Sequence, residues 1–188
     1  MSEVHQRVSI DGDRTFSVTL GSIVEEDVDA IVNAANSRLE HGGGVAAVIA
    51  AAAGKKLTDA SRDLVRTEGS VAVGEAAVTT GGELPHQGVI HAVGPRQGEG
   101  SEKEKLASAV AAALLRADEN GWTSVALPAI SAGIFGVPPN TCASAYVRGV
   151  KDHFRSHPDS SVKDVRLCLY DPEPELLEAV ENELGRAF

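Results

Sequence analysis

The 188-residue sequence has little cysteine, few aromatic residues and no long apolar run, and each shortage excludes a class of protein. Its two cysteines, Cys142 and Cys168, cannot form a disulfide framework or a four-cysteine zinc site. We therefore expect no bound metal and a reduced, cytoplasmic protein. No apolar run reaches the roughly 18 residues that a membrane helix needs, and residues 1–12 lack the apolar core of a signal peptide. We expect no association with a membrane.

Basic residues are also in short supply. Lysine and arginine total 17 against 27 aspartates and glutamates, which gives a formal net charge of −10. Nucleic-acid binding depends on a basic surface that replaces counterions, so we predict no nucleic-acid partner. A small anionic ligand is still possible, because backbone N–H groups bind anions without lysine or arginine. The length predicts a single domain over 1–188, with residues 1–13 as a polar N-terminal extension, and we expect a monomer.

Hydrophobic periodicity predicts strands that alternate with helices. Predicted strands lie at 16–20, 30–32, 75–80, 89–93, 124–128 and 165–169. Predicted helices lie at 45–53, 56–68, 101–121, from 139 to just before Pro158, and near the C-terminus. The alternation predicts an α/β fold with three α/β/α layers and a central mixed, largely parallel sheet. Parallel sheets bind ligands at the carboxyl ends of their strands, so the loops that follow strands are the candidate site.

Three local signals predict how particular segments begin. Residues 33–36 are predicted to form a loop that follows the strand ending at Val32. Ser101 with Glu104 three residues later forms the sequence pattern of a capping box. Asp171 is predicted to cap the last helix, with Pro172 in its first position.

Two loops combine small residues with glycine directly after predicted strands. The first runs from Asn33 to the glycines Gly42, Gly43 and Gly44, and a helix follows. Glycine lets backbone N–H groups approach a ligand, and a helix N-terminus favours anions, so this segment predicts a phosphate cradle. The alternative is a flexible glycine turn that only connects a strand to a helix.

The second loop, residues 131–136, follows the strand that ends at Pro128. Phe135 within it either shields a sugar or plugs the rim of the core. Two such loops at neighbouring strand ends predict two anion sites suited to a diphosphate.

Tyr170, after the last strand, either stacks on a purine or is an exposed rim residue. Because Ser131 stands in an Ala-Ile-Ser-Ala-Gly stretch, a serine hydrolase with a nucleophile elbow is a further alternative.

Taken together, these segments resemble the macro domain family, whose members bind ADP-ribose. The matching stretches are Gly-Ser-Ile at 21–23, Asp-Ala-Ile-Val-Asn-Ala-Ala-Asn at 29–36, Glu-His-Gly-Gly-Gly-Val-Ala at 40–46, Val-Ile-His-Ala-Val-Gly-Pro at 89–95, Leu-Pro-Ala-Ile-Ser-Ala-Gly-Ile-Phe-Gly at 127–136 and Leu-Tyr-Asp at 169–171. They run in order over nearly the whole chain. The resemblance implies ADP-ribose in a cleft across the strand ends, and no cofactor.

Carried over by position, the resemblance implies a set of residues that contact the ligand. Ser22, Ile23 and Tyr170 would contact the adenine, and Asn36 would bond the distal ribose next to Ala35. The residues implied to line the diphosphate and distal ribose are Gly43, Gly44, Val45, Ser131, Ala132, Gly133, Ile134 and Phe135. The resemblance further implies that Asn36 and Gly43 are the catalytic positions.

Two departures from the family pattern qualify this expectation. Many members have aspartate after the glycine at Gly21, where its carboxylate accepts a bond from the adenine amino group, but this sequence has Ser22. Adenine selectivity is then reduced, or supplied by Glu25, Glu26 or Asp27. A hydrolytic branch carries an aspartate that positions the attacking water where this sequence has Ala46.

The resemblance therefore implies one of two functions. The first is hydrolysis of mono-ADP-ribose from aspartate or glutamate side chains of modified proteins, with the ligand's own phosphate holding the water. The second is non-catalytic recognition of ADP-ribosylated proteins or of free ADP-ribose and its derivatives. His41 and His91 are the nearest titratable groups, and both also fit structural roles.

Overall fold

The computed structural model describes residues 2–188, which form a seven-stranded sheet with helices on both faces. The strands are β1 Glu3–Asp11, β2 Arg14–Leu20, β3 Ala30–Ala35, β4 Ala76–Thr80, β5 Gly88–Val93, β6 Ser124–Leu127 and β7 Asp164–Leu169. The helices are α1 Gly44–Ala53, α2 Lys55–Glu68, α3 Glu102–Glu119, α4 Pro139–Ser156 and α5 Pro174–Ala187. This architecture confirms the predicted three-layer α/β fold.

The order of the strands across the sheet is β1-β2-β7-β6-β3-β5-β4. The five central strands are parallel to one another, whereas β1 and β4 pair antiparallel at the two edges. All five parallel strands therefore end at the same edge of the sheet, where their following loops lie side by side. Within residues 2–188, none of the helices is long and apolar enough to cross a bilayer.

The core lies on both sides of the sheet because helices cover both faces. On β3, Ala30 and Val32 pack with the layer of α3, α4 and α5, whereas Ile31 packs with the layer of α1 and α2. A central strand buried on both faces has no polar alternation, which is why the Ala-Ile-Val stretch is apolar throughout. The two layers hold the strand ends, and thus the loops of the site, in fixed register.

Strand β1 is an element that the sequence analysis did not predict within the polar N-terminal extension. It pairs with β2 through a ladder that runs from Glu3 opposite Leu20 to Asp11 opposite Arg14. Its side chains are mostly exposed, and only Val8 and Ile10 pack against the core. An edge strand needs little apolar surface, so its hydrophobic signal is weak.

The predicted loop at residues 33–36 is wrong in its first three positions. Strand β3 continues through Ala35, and Asn33 is fully buried in register with His91 of β5. A buried asparagine is tolerated inside the sheet because its side-chain amide bonds to two histidine rings. The loop starts only at Asn36.

The predicted position of one helix cap is correct, but the predicted capping box is absent, and the predicted cap at Asp171 is wrong. Ser101 occupies the N-cap of α3 with a left-handed φ of 55° and makes no side-chain cap bond. The carboxylate of Glu102 instead accepts bonds from the N–H groups of Gly98 at 2.8 Å and Gly100 at 3.2 Å. Asp171 has a left-handed φ of 42°, and α5 begins later, at Pro174. Proline suits the first helical position at 172 and at 174 alike, so the sequence pattern does not distinguish them.

Candidate ligand-binding site

The residues predicted for the site lie in loops at the carboxyl ends of four parallel strands. Ser22 and Ile23 follow β2, and Tyr170 follows β7. The loop 131–135 follows β6, and the loop that begins at Asn36 follows β3, with Ala35 as the last strand residue. In the sheet these strands are neighbours in the order β2, β7, β6 and β3, with β5 next. The fold therefore brings segments far apart in sequence into one row.

The row has a definite length because strand spacing is fixed. Four spacings of about 4.8 Å separate β2 from β5, so the row extends over about 19 Å. This length suits an extended ligand that lies across the strand ends.

The loop after β3 is shaped by Asn36. Its side-chain Oδ1 accepts bonds from the backbone N–H groups of Arg38 and Glu40, both at 3.1 Å, and its Nδ2 donates to the Glu40 carbonyl at 3.0 Å. One N–H of the Asn36 amide is left for a ligand. Asn36 thus closes the turn, a role that the sequence analysis did not predict.

The glycines that follow Asn36 lead into the N-terminus of α1. Gly43 is the N-cap residue with extended backbone, and Gly44 has a left-handed φ of 56°, which favours glycine. The N–H groups of Gly44, Val45 and Ala46 lie in the first helical turn and have no acceptor within α1. No acidic side chain stands in that turn. The result is an open helix N-terminus with a positive dipole end.

The loop after β6 exposes a second set of N–H groups. Ser131 is buried, with a left-handed φ of 66°, and its carbonyl accepts a bond from the Val137 N–H at 3.0 Å. The Gly133 carbonyl accepts from the Gly136 N–H at 2.9 Å. In the part of the chain that the structure describes, the N–H groups of Gly133, Ile134 and Phe135 donate to no protein acceptor.

The two sets of N–H groups belong to one cleft. A Cβ placed on Gly43 would lie 3.6 Å from the Cδ1 atom of Ile134, so the glycine loop and the loop after β6 face each other at contact distance. Ile134 is 83% exposed and leans over this gap. Six backbone donors at adjacent strand ends form a cradle for an anionic ligand. We call these six N–H groups the amide cradle.

Ser131 does not have the environment of a nucleophile. Its hydroxyl donates a bond to the Pro95 carbonyl at 2.7 Å, which ties the loop after β6 to the end of β5. The side chain is only 5% exposed. The serine-hydrolase alternative is therefore wrong, because a serine nucleophile has to donate its proton to a base.

A pocket of about 260 Å³ adjoins the cradle at the β3–β5 end of the row. Phe135 forms one wall, half-buried, with the Arg96 guanidinium 4.6 Å from its ring centroid. Such a contact holds both side chains in place. The pocket is lined by Asn36, Ser37, Arg38, Glu40, Val73, Val93, Gly94, Arg96, Glu99 and Phe135. The sequence analysis missed Arg96, which follows β5 closely and could have been found by that position.

At the opposite end, Ser22, Ile23 and Tyr170 surround the ends of β2 and β7. Ile23 is buried in the core layer of α1 and α2, whereas Tyr170 is 79% exposed. Ser22 starts a short 3-10 helix, Ile23–Glu25, and makes no cap bond with its side chain. Tyr170 therefore has the exposed position of a rim residue, where its ring is accessible to a ligand.

Glu26 cannot supply adenine selectivity, contrary to the hypothesis from the sequence. Its buried carboxylate accepts bonds from the Thr19 hydroxyl at 2.6 Å and the Arg166 guanidinium at 2.9 Å. These bonds hold the pKa of Glu26 below its usual value although burial opposes them. Glu26 is part of the scaffold below the loop. Glu25 and Asp27 are exposed at the surface.

Neither histidine near the cradle has the properties of a base that meets solvent. Burial lowers the pKa of His91 to about 3, with a smaller contribution from His41, and burial also lowers the pKa of His41. Ala46 is buried and brings no functional group. Among residues 2–188 no group of three or more His, Cys, Asp or Glu side chains is placed to hold a metal ion.

Comparison with known proteins gives the family. The sequence model of the Macro domain matches residues 32–146, and the chain belongs to the macro domain family. It is 52% identical over 153 residues to an uncharacterised protein of Pyrobaculum aerophilum, covering 81% of this chain and 82% of that one. It is 40% identical over 158 residues to a protein of Escherichia fergusonii named O-acetyl-ADP-ribose deacetylase, covering 83% and 88%.

The lengths of the relatives differ. An uncharacterised protein of Thermotoga maritima is 42% identical over 175 residues, which is 92% of this chain but only 29% of that protein. Among solved structures, the Oceanobacillus iheyensis macrodomain with ADP matches with a TM-score of 0.87 at 28% identity, covering 96% and 95% of the chains. The Trypanosoma brucei macrodomain in complex with ADP-ribose matches with a TM-score of 0.75 at 26% identity, covering 89% and 68%.

Proposed function

We propose that this protein binds ADP-ribose, and that the amide cradle binds its diphosphate. The single observation that carries the proposal is the six unpaired backbone N–H groups at two adjacent strand ends. A pyrophosphate offers acceptors to both sets and interacts favourably with the dipole of α1. The chain's net charge of −10 repels an anion, but salt screens the distant surface charges, whereas the backbone donors of the cradle contact the diphosphate directly.

The ends of the row give the ligand a direction. The adenine would lie beside Ser22 and Ile23 with Tyr170 on its face, and the distal ribose would enter the pocket of Asn36 and Phe135. A row of about 19 Å fits a nucleoside diphosphate linked to a sugar better than a mononucleotide. Structural relatives that hold ADP and ADP-ribose support this proposal.

A pair of glycine variants tests the cradle. In Gly43→Asp, the new carboxylate occupies the N-cap of α1, accepts the N–H groups of the first turn and repels a phosphate. We expect the variant to gain thermal stability and to lose ADP-ribose affinity by about 100-fold. Gly42→Asp adds the same charge one residue earlier, at an open position with no strained φ.

Isothermal titration calorimetry with ADP-ribose, AMP and ribose 5-phosphate measures these affinities. We expect ADP-ribose to bind the unmodified protein more tightly than either fragment, and Gly42→Asp to stay within a few-fold of it. Equal losses in both variants would show that net charge matters rather than the helix N-terminus. Absence of ADP-ribose binding to the unmodified protein would refute the proposed function.

We further propose that the bound ligand is an ester and that the protein hydrolyses it. In mono-ADP-ribosylated aspartate or glutamate, water cleaves the acyl link between the side chain and the distal ribose, which releases ADP-ribose and a carboxylic acid. Asn36 would hold the ribose, and the backbone at Gly43 would hold the adjacent phosphate, which in turn orients the water. The Escherichia fergusonii relative, named for deacetylation of another ADP-ribose ester, supports this class of reaction.

Non-catalytic recognition of ADP-ribosylated proteins or of free ADP-ribose is the second candidate. It is favoured by Ala46, which brings no base to the cradle, and by burial, which lowers the pKa of half-buried His41 and of fully buried His91. In either case we propose that the partners are mono-ADP-ribosylated proteins and that the protein acts as a cytoplasmic monomer.

Release of ADP-ribose from an automodified transferase distinguishes the two candidates. Release above the rate without protein supports the hydrolase, and binding without release supports the reader. Asn36→Ala is the informative variant, with Asn182→Ala, at an exposed position on α5, as the matched control. Because Asn36 also closes the turn through Arg38 and Glu40, binding and release must both be measured. A larger loss of release than of binding supports a catalytic Asn36.

A further inference from the structure

The glycine segment of the cradle has no side chains to hold it, so its position depends on the residues that precede it. Leu39 anchors the middle of the loop in a small apolar cluster with Ala35 and Val93. His41 is the last residue with a side chain before Gly42, Gly43 and Gly44. Its ring is half-buried and turned inward, toward α2 and the sheet.

The ring of His41 lies between Ser61 on α2 and Asn33 on β3. Its Nε2 atom is 3.0 Å from the Ser61 hydroxyl, which donates its own proton to the Leu57 carbonyl at 2.9 Å. Ser61 therefore accepts, and His41 donates through Nε2–H. Its Nδ1 atom faces the side-chain amide Nδ2 of Asn33 at 3.4 Å.

The same amide also reaches a second histidine. Asn33 Nδ2 is 3.1 Å from Nδ1 of His91, and Nε2 of His91 is 2.8 Å from the Thr79 hydroxyl. Because an amide nitrogen only donates, both Nδ1 atoms must carry lone pairs and both rings must be Nε2–H tautomers. The Thr79 hydroxyl then donates to the Thr80 carbonyl at 3.3 Å. The proton order of the whole network is thereby determined.

The network contains no charged group and leaves no proton for catalysis. The two rings stack with centroids 5.4 Å apart, and His91 is fully buried. A buried network of this kind is costly when one bond is removed, because the remaining polar groups lose their partners. It joins β3, β5 and α2 to the residue next to the glycines.

We propose that His41, bonded to Asn33 and Ser61 as the Nε2–H tautomer, is a positioning residue that holds the glycine segment in the conformation that receives the diphosphate. This inference rests on the proposed binding of ADP-ribose. It assigns the two asparagines of the Asn-Ala-Ala-Asn motif different tasks, because Asn36 faces the ligand pocket while Asn33 orients the histidines.

His41→Phe is the direct test, since phenylalanine keeps a ring of similar size and removes both hydrogen bonds. We expect about a tenfold loss of ADP-ribose affinity. Adenosine affinity should change less than twofold, because adenosine carries no phosphate for the glycine segment to receive. Ser61→Ala, which removes only the partner on α2, should give a smaller loss in the same direction. His157→Phe, a histidine replacement at the C-cap of α4, is the control.

Two readouts do not depend on the ligand. Nitrogen-15 NMR of labelled histidine should show Nε2–H tautomers for His41 and His91 at pH 7. Backbone order parameters of Gly42, Gly43 and Gly44 should fall in His41→Phe, from about 0.85 toward 0.6, and stay unchanged in His157→Phe. These measurements test the anchoring of the loop even where ADP-ribose is not the ligand.

The outcomes separate this inference from the proposed function. Loss of ADP-ribose and adenosine affinity to the same extent, or unchanged order parameters in His41→Phe, would overturn the positioning role. A protonated ring or an Nδ1–H tautomer at pH 7 would do the same. Failure of the unmodified protein to bind ADP-ribose, with the tautomers and order parameters as expected, would refute the ligand and leave the anchor supported.

Discussion

Backbone groups contribute most of the proposed binding, so we expect the selectivity for one base over another to depend on individual side chains. Ser22 is the clearest case. Its hydroxyl is free of cap bonds at the β2–β7 end of the row, where many macro domains have a carboxylate. A neutral hydroxyl accepts a weaker bond from an amino group than a carboxylate does.

Ser22→Asp should therefore improve the recognition of adenine. We expect about a fivefold gain in ADP-ribose affinity, because a charge-assisted hydrogen bond replaces a neutral one. Affinity for the inosine analogue, which lacks the amino group, should not rise. Calorimetry with both ligands measures the difference, and Ser22→Asn is the uncharged control. Equal gains for both ligands would contradict a contact with the amino group.

His91 should make stability depend on pH in the acid range. Its pKa of about 3 in the folded protein is below the ordinary 6.5, so the unfolded chain binds the proton more readily. The neutral His91 ring therefore costs no stability above pH 6.5. As the pH falls from 6.5 toward 3, protonation of the unfolded chain lowers the free energy of unfolding. His91→Gln should flatten the decline by about 1.4 kcal/mol per pH unit between pH 6 and 4.

Urea unfolding at several pH values measures this slope. Burial lowers the pKa of His153 to about 4, so His153 also makes the free energy of unfolding depend on pH. This dependence is the same in the unmodified protein and in His91→Gln, and it cancels when the two are compared. Parallel pH curves for the two proteins would show that His91 accepts a proton without unfolding.

The ends of strands and helices were harder to predict than their centres. Asn33 looked like a loop residue because asparagine is rare in strands, and only its two histidine partners, distant in sequence, make it compatible with β3. Ser101 and Glu104 have the spacing of a capping box, but Glu104 pairs with Arg148 of α4 at 3.2 Å. Tertiary contacts of this kind are not visible in local spacing.

Close contact between the end of β5 and the loop after β6 gives a further prediction. A Cβ on Gly94 would overlap the Ser131 hydroxyl and lie 2.7 Å from Cγ2 of Ile130. Gly94→Ala should push the loop outward, lower stability by about 1–3 kcal/mol and weaken ADP-ribose binding. Thermal unfolding with and without ligand measures both effects.

Gly185→Ala is the matched control for this variant. Gly185 lies on α5 with no atom within 4 Å of an added Cβ, so alanine should be neutral or slightly stabilising there. An unchanged melting temperature in Gly94→Ala would show that the loop after β6 adapts easily.

The arrangement of the site follows from the sheet as a whole. Glycine-rich loops located the ends of β3 and β6, and the position of Tyr170 after the last predicted strand located the end of β7. Ser22 and Ile23, at the end of β2, came only from the family resemblance. Sequence patterns did not locate Arg96, whose place in the pocket depends on the pairing of β5 with β3 and on the contact with Phe135. Strand order is set by packing over the entire chain. Residues that only the strand order brings together therefore cannot be found from local sequence motifs.

Strand β1 protects the edge of this sheet. Removal of residues 2–11 would expose the hydrogen-bonding groups of β2, most of whose side chains are buried. We expect a lower melting temperature and concentration-dependent association through the new edge. Size-exclusion chromatography with light scattering over a range of concentrations tests this. A truncated protein with the same oligomeric state and melting temperature as the full chain would show that β1 is dispensable.

The antiparallel direction of β1 also has a practical consequence. Glu3 lies opposite Leu20, and Ser2 packs against Gly21, so the chain enters the fold next to Ser22. A purification tag or fusion partner attached ahead of Ser2 would emerge beside the proposed adenine position and obstruct it. Helix α5 runs away from that corner toward Phe188, where Lys151 lies 5.2 Å from the ring centroid. Affinity handles and fluorescent labels therefore belong at the carboxyl terminus.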